Sequence, residues 1–324
     1  MFGCNLSAED CCQQQGIPMS KNIYLSHEHA PKDFKDVLDE VRQRIRREAK
    51  TSQDTTKNLA LVDELAAFPL GRFLLTHRGA NGYWTRYMAN MDPQYNLTTG
   101  INPEGKPFSK LERWLLTRSR GAYALPRRMH EAQGVLQPML YNDIVLASLP
   151  CGAMDDLLGL DFTDVKTFKL VGIDVDPESI KLAASNAASK KLTDNVELIE
   201  KDAWSLDVEN QFDALVCHGL TGYIADTQRV LQLYKIFHRA LKKPKGVFIT
   251  NLTVPYTRET TDTKEDIEDA KHHHLIFEDI LHFKTVNNRR SVEKTHKMLS
   301  QAGFSDLQIT IDPRGICFTI IATC

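Results

Sequence analysis

The 324 residues read as an α/β protein: a mainly parallel sheet that ends in an antiparallel hairpin and is preceded by a helical region. Three features of the text carry that expectation. Beyond Asn142, short apolar runs of strand length alternate with amphipathic stretches of helix length, which implies parallel strands joined by right-handed crossovers. Ahead of about residue 140, apolar residues recur at helical spacing and no strand-like run occurs. At the far end, two strand-like runs are separated by a Pro-Arg-Gly turn, and strands joined so tightly pair antiparallel.

The elements follow in order. In PKDFKDVLDEVRQRIRREAK, residues 31–50, apolar side chains fall at 34, 37, 38, 41 and 45, one face of a helix with charge opposite. A second helix is predicted from Asn58 to Phe68, with more helix through LGRFLLTHR. Gly79, Asn81 and Gly82 interrupt that pattern, and MDPQYNLTTGINPEGKPF reads as a long loop. Helix resumes in SKLERWLLTRS and in LPRRMHEAQGVLQPMLY. The strand IVLASL follows, then the helical DDLLGL and the strand KLVGID. DPESIKLAASNAASKK is a helix with Asp176 as N-cap and Pro177 at the first helical position. The strands NVELIE and FDALVCH, the helix TQRVLQLYKIFHRAL and the strand GVFITNL come next. The helix SVEKTHKMLSQAGF and the hairpin SDLQITID/ICFTIIAT close the chain.

Length suggests two structural units. Residues 31–140 are expected to form a helical cap and 141–324 the α/β domain, with residues 1–30 polar, irregular and poorly ordered. A composition of 42% apolar and 25% charged residues excludes a wholly disordered or collagen-like chain. No apolar run approaches the roughly 18–20 residues that span a bilayer, so no membrane partner is expected. Cysteines at 4, 11, 12, 151, 217, 317 and 324 form no regular framework, which points to a reducing compartment. MFGCNLSAEDCC carries neither the basic nor the apolar region of a secretory leader, and a cytoplasmic location is the expectation. Nothing in the text fixes an oligomeric state.

Four motifs stand at strand ends. SLPCGAMDD follows the first strand, with Gly152 in its turn. Val171-Gly172-Ile173-Asp174 ends the second strand, where a carboxylate can accept hydrogen bonds from both hydroxyls of a ribose. Glu200-Lys201-Asp202-Ala203-Trp204 follows the third, and Cys217-His218-Gly219-Leu220-Thr221-Gly222-Tyr223 the fourth. Cys217 reads as a small buried hydrophobe. His218 can serve as a general base, its ordinary pKa being near neutrality, or it can pack against a ligand.

In this order the motifs resemble the class I S-adenosylmethionine-dependent methyltransferases over roughly residues 140–324. The resemblance implies a Rossmann-like, seven-stranded sheet, S-adenosylmethionine as cofactor and methyl transfer by in-line displacement, for which alignment and exclusion of water can suffice. It places Pro150, Cys151 and Gly152 in the loop where the family carries three alternating glycines. Here Pro150 stands at the first and Met154 at the third, and Ser148 replaces the acidic residue of the strand. Asp155 or Asp156 can supply the missing carboxylate, or they cap the helix that follows. By the same resemblance Asp174 and Val175 meet the ribose, Asp202 and Ala203 the adenine, and Trp204 stacks on the base or joins the core. His218 and Tyr223 become the catalytic candidates. An Asn/Asp-Pro-Pro-Tyr/Phe sequence is absent after the fourth strand, which disfavours methylation of exocyclic or amide nitrogens.

The acceptor is read from the helical part. Between Arg72 and His130, ten lysines and arginines stand against three acids, a net of +7, so the remainder carries −9 within the total of −2. That asymmetry suits an anionic acceptor, an acidic partner or a solvated basic face. Arg118/Arg120 and Arg127-Arg128 can clamp a carboxylate or phosphate. Asn81–Tyr87 is the densest aromatic cluster, and Tyr83, Trp84, Arg86 and Arg127 are the acceptor-site candidates, with interdomain packing the alternative for the aromatics. His282, Asn287, Arg289 and Arg290 are further candidates to border that cleft. Lys271-His272-His273-His274 reads as a surface helical turn, since consecutive histidines cannot all face one metal, and no metal is expected. A small-molecule acceptor is expected first, with nucleic acid or protein left open. The rival readings are a binding module without turnover, an aminopropyl transferase and a nicotinamide-dependent oxidoreductase. HGLTGY lacks an acid until Asp226, and a Gly-x-Gly-x-x-Gly turn is absent, which count against the last two.

Overall fold

The computed structural model describes residues 33–253 and 263–324; the expectation for residues 1–30, with Cys4, Cys11 and Cys12, lies outside the described residues. Seven strands form one sheet in the order β3-β2-β1-β4-β5-β7-β6. They are β1 (Ile144–Ser148), β2 (Phe168–Asp174), β3 (Val196–Glu200), β4 (Ala214–Cys217), β5 (Val247–Thr253), β6 (Ser305–Ile311) and β7 (Cys317–Thr323). β1 to β5 run parallel, and β7 inserts antiparallel between β5 and β6. The order reverses between β1 and β4. In open α/β sheets the crevice for a ligand lies at that reversal, outside the carboxyl ends of the strands. β4 is buried at every position, as a strand covered on both faces must be.

The helical part begins with α1 (Phe34–Glu48), α2 (Ser52–Ala66) and α3 (Pro69–His77). α2 starts well ahead of the expected Asn58, because Thr51 accepts a hydrogen bond from the Asp54 amide at 3.0 Å and caps the helix there. Gly82, expected as a break in the pattern, instead opens a short helix, α4 (Gly82–Met88), capped by the Asn81 side chain on the Trp84 amide at 3.0 Å. α5 (Lys110–Thr117) and α6 (Arg120–Leu136) follow; Ser119 caps α6, so that helix begins a turn before Leu125. Around the sheet lie α7 (Asp155–Leu158), α8 (Pro177–Ser189), α9 (Thr227–Ala240) and α11 (Val292–Ala302).

Between β5 and α11 the chain leaves the sheet. α10 (Lys264–His274), capped by Thr263, runs into a π-helical turn, Leu275–Ile280. Ile276, Phe277 and Ile280 enter the core made by Leu65, Leu70, Leu74, Tyr87 and Leu115. The cap therefore includes this late segment as well as the early helices. Trp114 Nε1 and Arg118 Nε both donate to Asp269 at 2.9 Å, tying α5 to α10. α6 bridges the layers, with Ala132 and Leu136 in the core beneath the sheet.

The histidine run corrects an expectation. It is a surface helical turn only in part: Lys271 and His274 are exposed, while successive residues of a helix point about 100° apart, so the three histidine side chains diverge and two of them turn inward. His272 packs edge-on to Trp114 at 4.4 Å, His273 stacks on Phe277 at 4.3 Å, and His274 meets Glu278 at 3.1 Å. Among the described residues no group of His, Cys, Asp and Glu could hold a metal ion. No described helix is long and apolar enough to cross a membrane.

Candidate functional site

A cavity of about 290 Å³ opens between the carboxyl ends of the parallel strands and the cap. Its floor is the turn after β1. Gly152 adopts φ +51° and Met154 φ +60°, so the chain makes the left-handed turn at one glycine and one methionine. The Gly152 amide donates to Asp174 Oδ2 at 3.0 Å. A side chain added to Gly82, at the start of α4, would begin 2.8 Å from Gly152 Cα. Cap backbone thus rests directly on the loop, a contact only glycine permits.

Asp174 ends β2 at the cavity wall and is 7% exposed. Its Oδ1 accepts from the Asp176 amide at 3.0 Å, which leaves each oxygen with acceptor capacity towards the cavity. Burial pushes its pKa up to about 6. Asp202 accepts from the Trp204 amide at 2.9 Å. The indole Nε1 of Trp204 donates to Arg229 O at 3.2 Å, and the Arg229 guanidinium covers the ring at 4.8 Å. Pro150, Cys151, Val175, Asp202, Ala203 and Trp204 line the cavity with Asp174.

The two acids after the turn divide the work. Asp156 Oδ2 accepts from Ser148 Oγ at 2.7 Å, so a carboxylate borne by α7 stands beside the β1 position where the sequence has serine. Burial raises its pKa to about 6. Asp155 faces the cap, where Arg86 Nε lies 3.1 Å away and Asn186 Nδ2 donates at 2.9 Å. Arg86 also donates to Asn186 Oδ1 at 3.0 Å. This buried triad joins α4 to α7 and α8.

At the end of β4, His218 Nδ1 lies 3.1 Å from Asn251 Oδ1, and the same oxygen accepts from the Gly219 amide at 3.2 Å. An amide N–H can only donate, so the Asn251 oxygen is an acceptor and the proton sits on His218 Nδ1. Nε2 is left as a buried lone pair without a hydrogen-bond partner among the described residues. Burial first, and the nearby Arg128 second, hold the imidazole down to about 3, neutral at any ordinary pH. Tyr223 accepts weakly from the Ala80 amide at 3.5 Å, and burial raises its phenol to about 12.

Not every candidate reaches the cavity. Arg86, Arg289, Arg290, His218 and Tyr223 line it. Trp84 packs in the cap core against Phe73 and Tyr87, with Tyr83 edge-on to it at 4.8 Å. Arg127 sits on the outer face of α6 paired with Glu131 at 3.0 Å. His282 lends its carbonyl to Arg78, and the Asn287 side chain lies outside the described residues. Asn251 was missed by sequence reasoning, although a polar residue closing the apolar run GVFIT was a visible signal. His273 was misread, and it lines the cavity from α10.

Residues 149–303 match the model of a methyltransferase domain family. A solved structure described as "a possible exported protein" from Bordetella parapertussis is similar over 90% of this chain and 95% of its own, at 32% identity and a TM-score of 0.78. An S-adenosylmethionine-dependent methyltransferase from Aquifex aeolicus is 17% identical over 60% of this chain and 90% of its own, with a TM-score of 0.42. One from Clostridium acetobutylicum is 14% identical over 60% and 89%, at 0.42. Comparison with curated proteins gives no match. The family match begins at the turn after β1 and runs through the strands whose order sets the ligand crevice, and this part of the chain is a methyltransferase domain of the class I S-adenosylmethionine-dependent superfamily.

Proposed function

We propose that the protein moves a methyl group from S-adenosylmethionine to a small, anionic acceptor held under the helical cap. The observation that carries the reading is Asp174, a buried carboxylate at the end of β2 that keeps free acceptor capacity into a cavity walled by Gly152 and Asp202. The donor set fits the cofactor. Asp174 would take the ribose hydroxyls, Asp202 and the Ala203 amide the adenine edge, and the Trp204 ring the base. Asp156, beside Ser148, would face the ammonium group. Bound, the cofactor supplies a methyl group already activated by its sulfonium charge.

The chain's own residues then align and shield. Gly82 and Gly152 bring cap and loop backbone together, which keeps water from the floor. His218 Nε2, bare and fixed by Asn251, would accept a hydrogen bond from a hydroxyl or amine acceptor and orient it; an imidazole held down to about 3 would pass the released proton on to water rather than keep it. A cavity of about 290 Å³ between sheet and cap favours a small molecule over a nucleic acid or protein. Cytoplasmic residence belongs to the same proposal, supported by the buried free thiols Cys151, Cys217 and Cys317. The description of the Bordetella relative as possibly exported suggests export instead, and cell fractionation decides between the two.

Calorimetry with S-adenosylhomocysteine and NAD tests the cofactor. Binding of the former is expected, and Asp174→Ala should weaken it by more than about tenfold, since hydrogen bonds to a charged group are worth roughly 1.5–3 kcal/mol. An unchanged affinity would sink the ribose assignment. Transfer of labelled methyl into fractionated host metabolites, RNA and protein separates an enzyme from a binding module and identifies the acceptor class.

A further inference from the structure

Half of the ten cations in the basic stretch of the cap are ion-paired in the fold. Arg72 and Lys106 pair with Glu104, Arg86 with Asp155, Arg118 with Glu265 and Asp269, and Arg127 with Glu131. Arg128 is different. It projects from α6 into the cavity, and among the described residues no carboxylate lies within ion-pairing distance of it. Its Nε is buried without a hydrogen-bond partner. Its Nη1 lies 3.4 Å from where a side chain on Gly219 would begin, so the guanidinium sits at the end of β4. A buried cation with no carboxylate in contact, offset only by the field of Asp156, is costly, and a ligand that brings an anion into contact lowers that cost.

Position separates this group from the ribose site. β4 is two strands from β2 in the sheet, about 10 Å at the usual strand spacing. Asp174, Asp176 and Asp202 stand at the ends of β2 and β3, Asp155 is taken up by Arg86, and Asp156 on α7 reaches Arg128 only through its field. Arg120, Arg289 and His273 line the cap side with Arg128. Burial and the fields of Arg120 and Arg289 hold His273 down to about 3, which marks this wall as positive. Leu125, Met129, Phe277 and Ile316 supply apolar surface around the cations.

We propose that Arg128 is the seat for a carboxylate on the methyl acceptor, and that the acceptor is a small monocarboxylic acid with an apolar body. One guanidinium matches one carboxylate with two parallel hydrogen bonds and a balanced charge, whereas a phosphate dianion would keep an excess. The apolar lining suits the rest of such a molecule. The proposal rests on the methyltransferase reading and adds to it the class of acceptor.

The test uses the full chain saturated with S-adenosylhomocysteine. Calorimetry follows binding of benzoate, phenylacetate and octanoate, of their neutral amides, and of phenyl phosphate. At least one carboxylate should bind about tenfold or more tighter than its amide, as a charge-assisted pair requires. Arg128→Gln should remove that preference while affinity for S-adenosylhomocysteine stays within about threefold, and Arg128→Lys should retain part of it. No preference for any carboxylate over its amide in the unmodified protein overturns the proposal, as does phenyl phosphate binding above every carboxylate. These arms need no variant to fold. If Arg128→Gln weakens S-adenosylhomocysteine but not 5′-methylthioadenosine, which lacks the amino-acid portion, Arg128 holds the cofactor's own carboxylate and the proposal fails. Unmodified protein that binds no S-adenosylhomocysteine removes the methyltransferase reading and this proposal with it, a result distinct from a loss confined to carboxylates.

Discussion

On the sheet side of the cavity three carboxylates accept from their own turns, Asp174 from the amide of Asp176, Asp176 from that of Glu178 and Asp202 from that of Trp204, and Asp174 adds a distant amide, that of Gly152. On the cap side the partners are distant in sequence. Arg86 meets Asp155, the Ala80 amide meets Tyr223, and Trp114 and Arg118 meet Asp269. Turns closed by an aspartate on an amide two residues ahead are set by sequence neighbours. Cap contacts exist only when the cap is docked. The floor should therefore tolerate local changes that the docked cap does not.

The largest test of that contrast is Arg86→Met. The pair it breaks is buried, with side-chain exposures of 13% for Arg86 and 6% for Asp155. Leaving Asp155 charged and unpaired should lower unfolding free energy by about 3–5 kcal/mol in denaturant titrations. Adding Asp155→Leu should recover most of it; no recovery would mean that the stranded charge is not the cause.

Gly82→Val comes next. The new side chain meets Gly152 Cα at 2.8 Å and Ser179 Oγ at 2.9 Å, and overpacking of this kind costs about 1–3 kcal/mol. S-adenosylhomocysteine affinity should fall with it. Gly134→Ala, in α6 with nothing within 4 Å, is the control and should be neutral or stabilising.

The floor answers to pH. If Asp174 takes the ribose, as proposed, it would have to be ionised to accept both hydroxyls, and its pKa is raised to about 6. Affinity for S-adenosylhomocysteine should fall as pH drops through that value, by up to about tenfold per pH unit, and Asp174→Asn should flatten the profile. Stability of the ligand-free protein should move the other way. The raised carboxylates of Asp174 and Asp156 favour the folded state fully below their unfolded range near about 4, and that contribution is lost as pH rises through about 6. Binding and stability changing in the same direction would contradict the assignment.

His218 gives a spectroscopic reading with little energetic weight. Nitrogen NMR should find the proton on Nδ1 and no ionisation near 6.5. Asn251→Leu should mix the tautomers; an unchanged spectrum would remove Asn251 as the positioning residue. The smallest effect belongs to Arg127→Ala, whose partly exposed pair with Glu131 should contribute less than about 1 kcal/mol to stability.

Asp174, Asp202 and the Asp176-Pro177 cap were legible because their geometry is written within a few residues of each. The strand sequence was legible for the same reason: apolar runs bounded by turns. α4 was not, since Gly82 reads as a helix breaker until Gly152 is seen against it. The roles of Asp155 and Asp156 stayed open in the sequence because both can cap a helix, and only Arg86 and Ser148 separate them. His273 was hidden because the polarity of a histidine run says nothing of what a helix is packed against.

By itself the sequence determined a parallel sheet with a closing hairpin and the carboxylates at its strand ends, because period, caps and turns act over a few residues. It also showed a basic cap with a net of +7. Which of those cations is neutralised, which way each histidine of α10 faces, and how the cap closes on Gly152 were decided by tertiary structure alone. Pairing across more than sixty residues depends on how the layers dock, and no local rule encodes it.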